Sequence, residues 1–334
     1  MKRMMIKATM ATLVMAAFGL THAADIKERT IKFATQNPKG HPLVIGMEKF
    51  AEVVAAKSGG KIKVNLFPGG VLGGDAPTVS AMQGGTIDMA TMNSGILASQ
   101  VKEFAIYDFP FMFANEKEAD AVVDGQFGKM MHNRLPEKGL VGLGYFELGF
   151  RNMTNSKRPL VKVEDIAGLK IRVIPNPINL DWVKALGANP TPLAFPEVYA
   201  ALEQKAIDGQ ENPLTVITAN KLYEVQKHLA LTRHVYNPQS VIISKKTWDT
   251  LSGDEKKIFE EATLEAIKVQ RIASRKQTAD AIDQLKKAGM QVTEFDATES
   301  KKLRDKMKPV IDKYAELVGP GITKAMQLEL AKLR

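Results

Sequence analysis

Cysteine is absent from the 334 residues, which excludes disulfides, a thiol nucleophile and thiolate metal sites. A lipid anchor on an N-terminal cysteine is excluded by the same count. Histidine is sparse, and His22, His41, His132, His228 and His234 fall in different segments. None has a carboxylate or second histidine at the helical spacing that ligates a metal, so no metal is expected. The glycine-rich PGGVLGGD at residues 68–75 matches neither the dinucleotide fingerprint nor the phosphate loop, and SGGKI from Ser58 lacks a hydroxyl residue after its lysine. Ser94 in MNSG lacks the glycines of a nucleophile elbow, and no two carboxylates stand out as an acid and base couple. No catalytic residue, cofactor or enzymatic activity is expected.

The net charge of +9 is dispersed, without a basic run interleaved with aromatics, so nucleic acid is not an expected partner. The apolar run ATMATLVMAAFGL at residues 8–20 is too short for an ordinary membrane span. With basic MKRMMIK before it and THAAD after it, the layout is that of a secretory signal peptide, residues 1–23, cut after Ala23. Its removal takes away Lys2, Arg3 and Lys7 and lowers the charge to +6. The mature chain is expected to diffuse freely in a periplasm, as a monomer without a lipid anchor.

Apolar content of 45% and charged content of 25% are globular values, and the length suffices for two domains. Ile31-Lys32-Phe33-Ala34 alternates as a strand and gives way to polar TQNPKGHP. Val44, Met47, Phe50, Val53 and Val54 then recur at helical spacing up to Gly59-Gly60. KIKVNLF reads as a second strand, Pro77 to Gln83 as a helix and IDMATMN as a third strand. The same order returns as strand LKIRV, loop IPNPIN, helix LDWVKALGAN, strand PTPLAF, helix PEVYAALEQK and closing IDGQENP. Laying Asp88 on Asp208 sets SAMQGGTID beside AALEQKAID, pairing Met82 with Leu202 and Ile87 with Ile207. Such alternation predicts parallel sheets with right-handed crossovers. Two units predict two similar α/β lobes with a cleft between their strand-to-helix loops.

Ser240 to Ser244 reads as a further strand, and Ser252 with Glu255 forms a capping box. The helix it opens persists to about Lys287, roughly 50 Å, long enough to run across both lobes. MQVTEF is a late strand, and a charged amphipathic helical tail begins near Glu299. No low-complexity linker intervenes, so crossing strands are expected to join the lobes. Trp182 and Trp248 read as core.

In LKIRV, Leu169, Ile171 and Val173 face one way and Arg172 the other, at the strand's end before Pro175. An arginine there either clamps a carboxylate through its planar fork of donors or covers apolar neighbours on the sheet surface. Arg151 follows LVGLGYFELGF and precedes a polar segment, so a second arginine is expected where a strand opens into a turn, as a clamp or as a surface charge. Phe195 before Pro196 is a pocket wall or a core residue. Asn212 before Pro213 is a ligand contact or an Asn-Pro turn. Gln36, Asn37 and His41 contact a ligand's hydroxyls or belong to a solvated loop.

The runs GFRNMTN, GLKIRV, ALGANPTPLAFPEVYAALEQKAIDGQENP and HLALTRHVYNPQSVIISKKTWDTLS resemble the extracytoplasmic solute receptors of tripartite ATP-independent periplasmic (TRAP) transporters, over essentially the whole mature chain. The resemblance implies an α/β, periplasmic binding protein-like fold with two lobes around a cleft, joined by crossing strands and a long helix. Lobe I is placed at residues 24–149 plus about 238–275, and lobe II at 150–237 plus about 276–334. It also implies that Arg172 clamps a ligand carboxylate, that Arg151 and Asn212 complete the anion site, and that Phe195 packs on the ligand. Asp75 and Asn93, from the other lobe, would contact the ligand's variable part, although some members carry glutamate where this chain has Asn93.

The implied function is capture of a small organic acid by lobe closure and delivery to a small and a large membrane subunit that use an ion gradient. The polar set Gln36, Asn37, His41, Asp75, Asn93, Glu147, Asn176 and Asn179 suits hydroxyls and favours a sugar acid, a hexuronate or aldonate. A C4-dicarboxylate or a 2-oxo acid is the alternative, as is a receptor for another importer or a sensor.

Overall fold

The computed structural model describes residues 26–334; the expected signal peptide lies outside them. Its first unit is β1 (Arg29–Ala34), α1 (Pro42–Lys57), β2 (Ile62–Phe67), α2 (Asp75–Gly84) and β3 (Met89–Asn93). Two 3-10 turns, α3 (Glu116–Asp124) and α4 (Gln126–His132) lead to the long strand β4 (Leu140–Asn155). The second unit is β5 (Lys170–Val173), α5 (Pro177–Ala185), β6 (Asn189–Pro192), α6 (Val198–Glu203) and β7 (Gly209–Pro213). After α7 (Leu214–Ala219), a second long strand, β8 (His228–Ser244), is followed by α8 (Lys245–Thr250), α9 (Gly253–Lys287), β9 (Gln291–Glu294), α10 (Ala297–Val318) and α11 (Pro320–Ala331).

The strands join into one sheet in the order β2-β1-β3-β8-β4-β7-β5-β6, with β9 against β8. Parallel pairing was the expectation, and it holds inside each unit, where β1 lies between β2 and β3 and β5 between β6 and β7. The sheet as a whole is mixed, because β4 and β8 run antiparallel to each other and to the units they meet. These two strands cross between the lobes, as the lack of a linker predicts.

The repeat is physical as well as sequential. The Asp88 carboxylate accepts from the backbone N–H of Lys32 on β1 at 2.8 Å, and Asp208 accepts from that of Lys170 on β5 at 2.9 Å. Thr86 and Ile87 donate their N–H groups to the Ala81 carbonyl, as Ala206 and Ile207 do to Ala201. Met82, Leu202, Ile87 and Ile207 are all buried. The turn after each helix passes through the left-handed region, at Gly85 (φ 83°) and Lys205 (φ 58°).

The long helix α9 starts at the expected capping box, in which Ser252 accepts from the Glu255 N–H and Glu255 accepts from that of Ser252. It packs against α1 and β4 on one lobe and α7 on the other. The tail helix α10 lies on α5, and α11 packs on α3 and α4. Trp182 is fully buried. Trp248 instead sits at the rim of the core with the Lys256 ammonium 5.5 Å over its ring.

Left-handed backbone costs a lysine about 1 kcal/mol that glycine avoids. Lys205→Gly, which copies Gly85, should therefore raise the denaturant midpoint by an amount corresponding to about 0.5–1 kcal/mol; an unchanged or lower midpoint would contradict the equivalence of the two turns.

Candidate functional site

The carboxyl ends of β1, β3, β5 and β7 converge on one small space between the units. The first unit contributes Thr35, Gln36 and Asn37 after β1, Asp75 at the start of α2, and Thr91, Met92 and Asn93 on β3. Facing them are Arg172 and Ile174 from the end of β5, Phe195, Asn212 on β7 and Val216 on α7. Leu148 and Arg151 on β4 and Gln239 on β8 form the floor. The two lobes meet at the mouth: a Cβ on Gly74 would lie 3.4 Å from that of Ala194, and one on Gly70 would lie 3.1 Å from the Pro196 ring. The cleft is closed.

Arg172 is only 2% exposed, and among the described residues no carboxylate lies within ion-pair distance of it. Its Nε and Nη2 both donate to the Leu193 carbonyl, at 2.9 and 2.7 Å, which fixes the plane of the fork. The guanidinium stands 5.8 Å over the Phe195 ring. Burial, reinforced by the nearby charge of Arg151, pulls its pKa down to about 10. The group is therefore a desolvated cation that lacks a counter-charge within bonding distance.

Arg151 differs from expectation in its place along the strand. It lies inside β4, opposite Pro213 of β7 and Val235 of β8, and not at a strand end, because β4 continues to Asn155 as the partner of both neighbours. The two arginines are not on adjacent strands, since β7 runs between β4 and β5. Arg151 has a counter-ion already: its Nε and Nη2 grip both oxygens of buried Glu211, the second at 2.8 Å, and its Nη1 donates to Asn237 Oδ1 at 2.8 Å. His234 Nε2 stands 3.2 Å from the same carboxylate. Burial would raise the Glu211 carboxyl, but Arg151 and His234 outweigh it and hold the pKa at about 2.

Asp75 is half-buried and faces the positive end of the cleft. Loss of solvent pushes its carboxyl up to about 6, against the opposing pull of Arg172 and Gln36. Asn212, which is 3% exposed, donates to Gln210 Oε1 at 2.6 Å. Asn93 lies directly opposite Gln239 in the β3–β8 register.

Four residues expected at the site are elsewhere. His41 is fully buried as the N-cap of α1, its Nδ1 accepting from the Leu43 N–H at 3.1 Å. Glu147 sits behind the floor, bound by Arg275 at 2.8 and 3.1 Å and by the Tyr236 hydroxyl at 3.3 Å. Asn176, with Asn179, donates to the buried Asp108 carboxylate, at 2.8 and 3.1 Å. Asn237 donates to the other Asp108 oxygen at 3.0 Å, so this acid ties α5 to β8. Conversely, Thr35, Thr91, Gln239 and the pairing role of Glu211 were missed. Thr91 sits two residues before Asn93 on the same face of β3, and Glu211 lies inside the QENP motif.

Glu211→Gln leaves the Arg151 charge buried without its counter-ion and should cost about 3–5 kcal/mol at pH 7. The folded carboxyl titrates at about 2 and the unfolded one near 4.5, so its contribution is complete above that upper value and is lost as pH falls through the lower. Denaturant melts should show the gap between wild type and variant closing as the pH is lowered from 5 toward 2; a gap independent of pH would contradict the pairing.

The model of the family described as bacterial extracellular solute-binding protein, family 7, matches residues 33–317. A TRAP periplasmic solute binding protein from Ochrobactrum anthropi, with its C-terminus bound in the ligand-binding pocket, is 54% identical, with a TM-score of 0.83 over 93% of this chain and 97% of that one. The sugar acid binding protein DctPAm from Advenella mimigardefordensis, in complex with galactonate, is 41% identical, with a TM-score of 0.91 over 93% and 100% of the two chains. The 2,3-diketo-L-gulonate-binding periplasmic protein YiaO of Escherichia coli is 34% identical over 289 residues, 86% of this chain and 88% of its own. A closed two-lobed cleft with one uncompensated arginine, in a chain matched over nearly its whole length, thus belongs to family 7 of the bacterial extracellular solute-binding proteins and is the solute receptor of a TRAP transporter.

Proposed function

We propose that this receptor captures a sugar acid, an aldonate or a hexuronate, by closing its lobes on it. The observation that carries the reading is the charge layout of the cleft. Arg172 is its one buried cation without an ion-pair partner among the described lining residues, while Arg151 is neutralised by Glu211. One carboxylate is therefore accommodated at the Arg172 end. The opposite wall offers acceptors, the Asp75 carboxylate and the Gln36 amide oxygen, together with Asn93. Acceptors call for ligand donors, and hydroxyls are donors whereas a second carboxylate or a 2-oxo group is not. The galactonate of the Advenella relative is an acid of this kind.

Phe195 then packs on the ligand, with Asn212 and the free donor capacity of Arg151 completing the anion site. Closure removes water from the cleft and strengthens each charged contact. It follows ligand binding only because the ligand makes contacts with both walls in the closed state that it lacks in the open one. Micromolar affinity corresponds to about −8 kcal/mol, within reach of a fully enclosed small acid. The mature chain, released after Ala23 and monomeric, presents the closed form to the two membrane subunits.

Arg172→Ala should weaken galactonate or galacturonate binding by more than 100-fold in calorimetry while the ligand-free protein melts as a folded domain. Affinity within threefold of wild type would remove Arg172 from the site. In a thermal-shift panel, aldonates and hexuronates should raise the melting point and succinate should not; stabilisation by succinate alone would replace the sugar acid by a dicarboxylate.

A further inference from the structure

Two threonine hydroxyls in the cleft wall have no partner among the described residues. Thr35 follows β1 and is 2% exposed, and Thr91 lies on β3 and is 1% exposed. Neither Oγ1 makes a hydrogen bond among the described residues. Other buried threonines of the fold do satisfy theirs: Thr78 donates to the Gly74 carbonyl, Thr154 to Gln226 and Thr263 to the Phe259 carbonyl. Thr215 shares the lack of a partner but does not line the cleft. A buried hydroxyl without a partner is a cost that folded proteins rarely carry without a use.

The two hydroxyls form a set. On the parallel strands β1 and β3, Phe33 is opposite Met89 and Ala34 opposite Ala90, so one step further brings Thr35 level with Thr91. Neighbouring strands lie about 4.8 Å apart, which places the two side chains side by side on one face. Beside them is the Gln36 Oε1, also unpartnered, whose orientation is set by the Nε2 bond to the Gly73 carbonyl at 3.0 Å. An amide oxygen can only accept, and a threonine hydroxyl can accept and donate together. A hydroxyl on a carbon chain satisfies both; an apolar or purely anionic ligand tail satisfies neither.

We infer that Thr35 and Thr91 are specificity-determining residues that bind hydroxyl groups of the acid's chain distal to the carboxylate held by Arg172. This rests on the sugar-acid reading. It assigns the discrimination between a polyhydroxylated acid and a bare one to the ends of β1 and β3, on the wall opposite the clamp. A ligand without those hydroxyls leaves two buried groups unpaired in the closed state, and the loss of a bond to such a group is discriminated strongly.

The test uses Thr35→Val, Thr91→Val, the double variant and the hydroxyl-retaining Thr35→Ser and Thr91→Ser in the whole mature protein. Galactonate, galacturonate and succinate are the probes, read by calorimetry and by melting of the ligand-free protein. Each valine variant should lose about 10-fold in sugar-acid affinity and the double variant about 100-fold, with the serine variants within threefold of wild type. The ligand-free valine variants should melt at the same temperature or about 2–4 °C higher, because an unpaired buried hydroxyl has been replaced by a methyl of the same shape. Opposite signs for affinity and stability distinguish ligand binding from a structural role.

Valine variants that keep wild-type affinity for a sugar acid would overturn the inference and leave the sugar-acid reading standing. A fall of more than 5 °C in the ligand-free melt would make the hydroxyls structural and overturn it as well. Wild-type protein that binds succinate but neither sugar acid would defeat the sugar-acid reading and this assignment with it.

Discussion

A guanidinium enclosed by protein without a counter-charge is the constraint on which the rest of this receptor depends. Taking such a group out of water is costly, and at Arg172 the cost is met in part by the Leu193 carbonyl and the face of Phe195. Both partners hold the fork in place without neutralising it. In the proposed function the remaining deficit is what the ligand's carboxylate relieves, which would couple the free energy of closing the lobes to the charge of what lies between them. Arg151 shows the other solution to the same problem, since its permanent counter-ion, Glu211, keeps it in position and removes most of its demand for a ligand.

Around this charge the polar interior is connected across elements far apart in the chain. Asp108 receives amide donors from α5 and β8, Asn237 of that group also accepts from Arg151, and Glu211 then meets His234. The carboxylate of Asp108 is raised by burial, and its amide donors are what make the site tolerable. The network lies where β4 and β8 pass between the lobes, so the polar residues that brace the floor of the cleft are the same ones that join its two halves.

Much of this was legible in the residues. Strand alternation and a following proline located Arg172 at a strand end, and the motif around it located Phe195 and Asn212 on the lining. The order of elements in the two units was legible because turn residues and apolar spacing are local signals. What failed were inferences from polarity alone. His41 is polar in a loop because it caps a helix, and Glu147 answers to Arg275, which is 128 residues away and invisible to any local pattern. Arg151 was misplaced because the end of an apolar run resembles the end of a strand, whereas β4 is held extended by two neighbours. Thr35 and Thr91 were passed over because threonine is ordinary in strands, and only the absence of a partner makes these two unusual.

The equivalence of the two units has a last consequence. The matching aspartate bonds superpose Lys32 on Lys170, and so place Ala34 at the position that Arg172 occupies in the other unit. A duplicated scaffold would present the same surface from both sides and bind a ligand either way round. Here one copy carries the cation at that position and the other a core alanine, so that the first unit meets the cleft with Thr35, Gln36 and Asp75 instead. The cleft consequently has a polarity, and under the proposed function an acid with a charged head and a neutral tail would enter it in a single orientation.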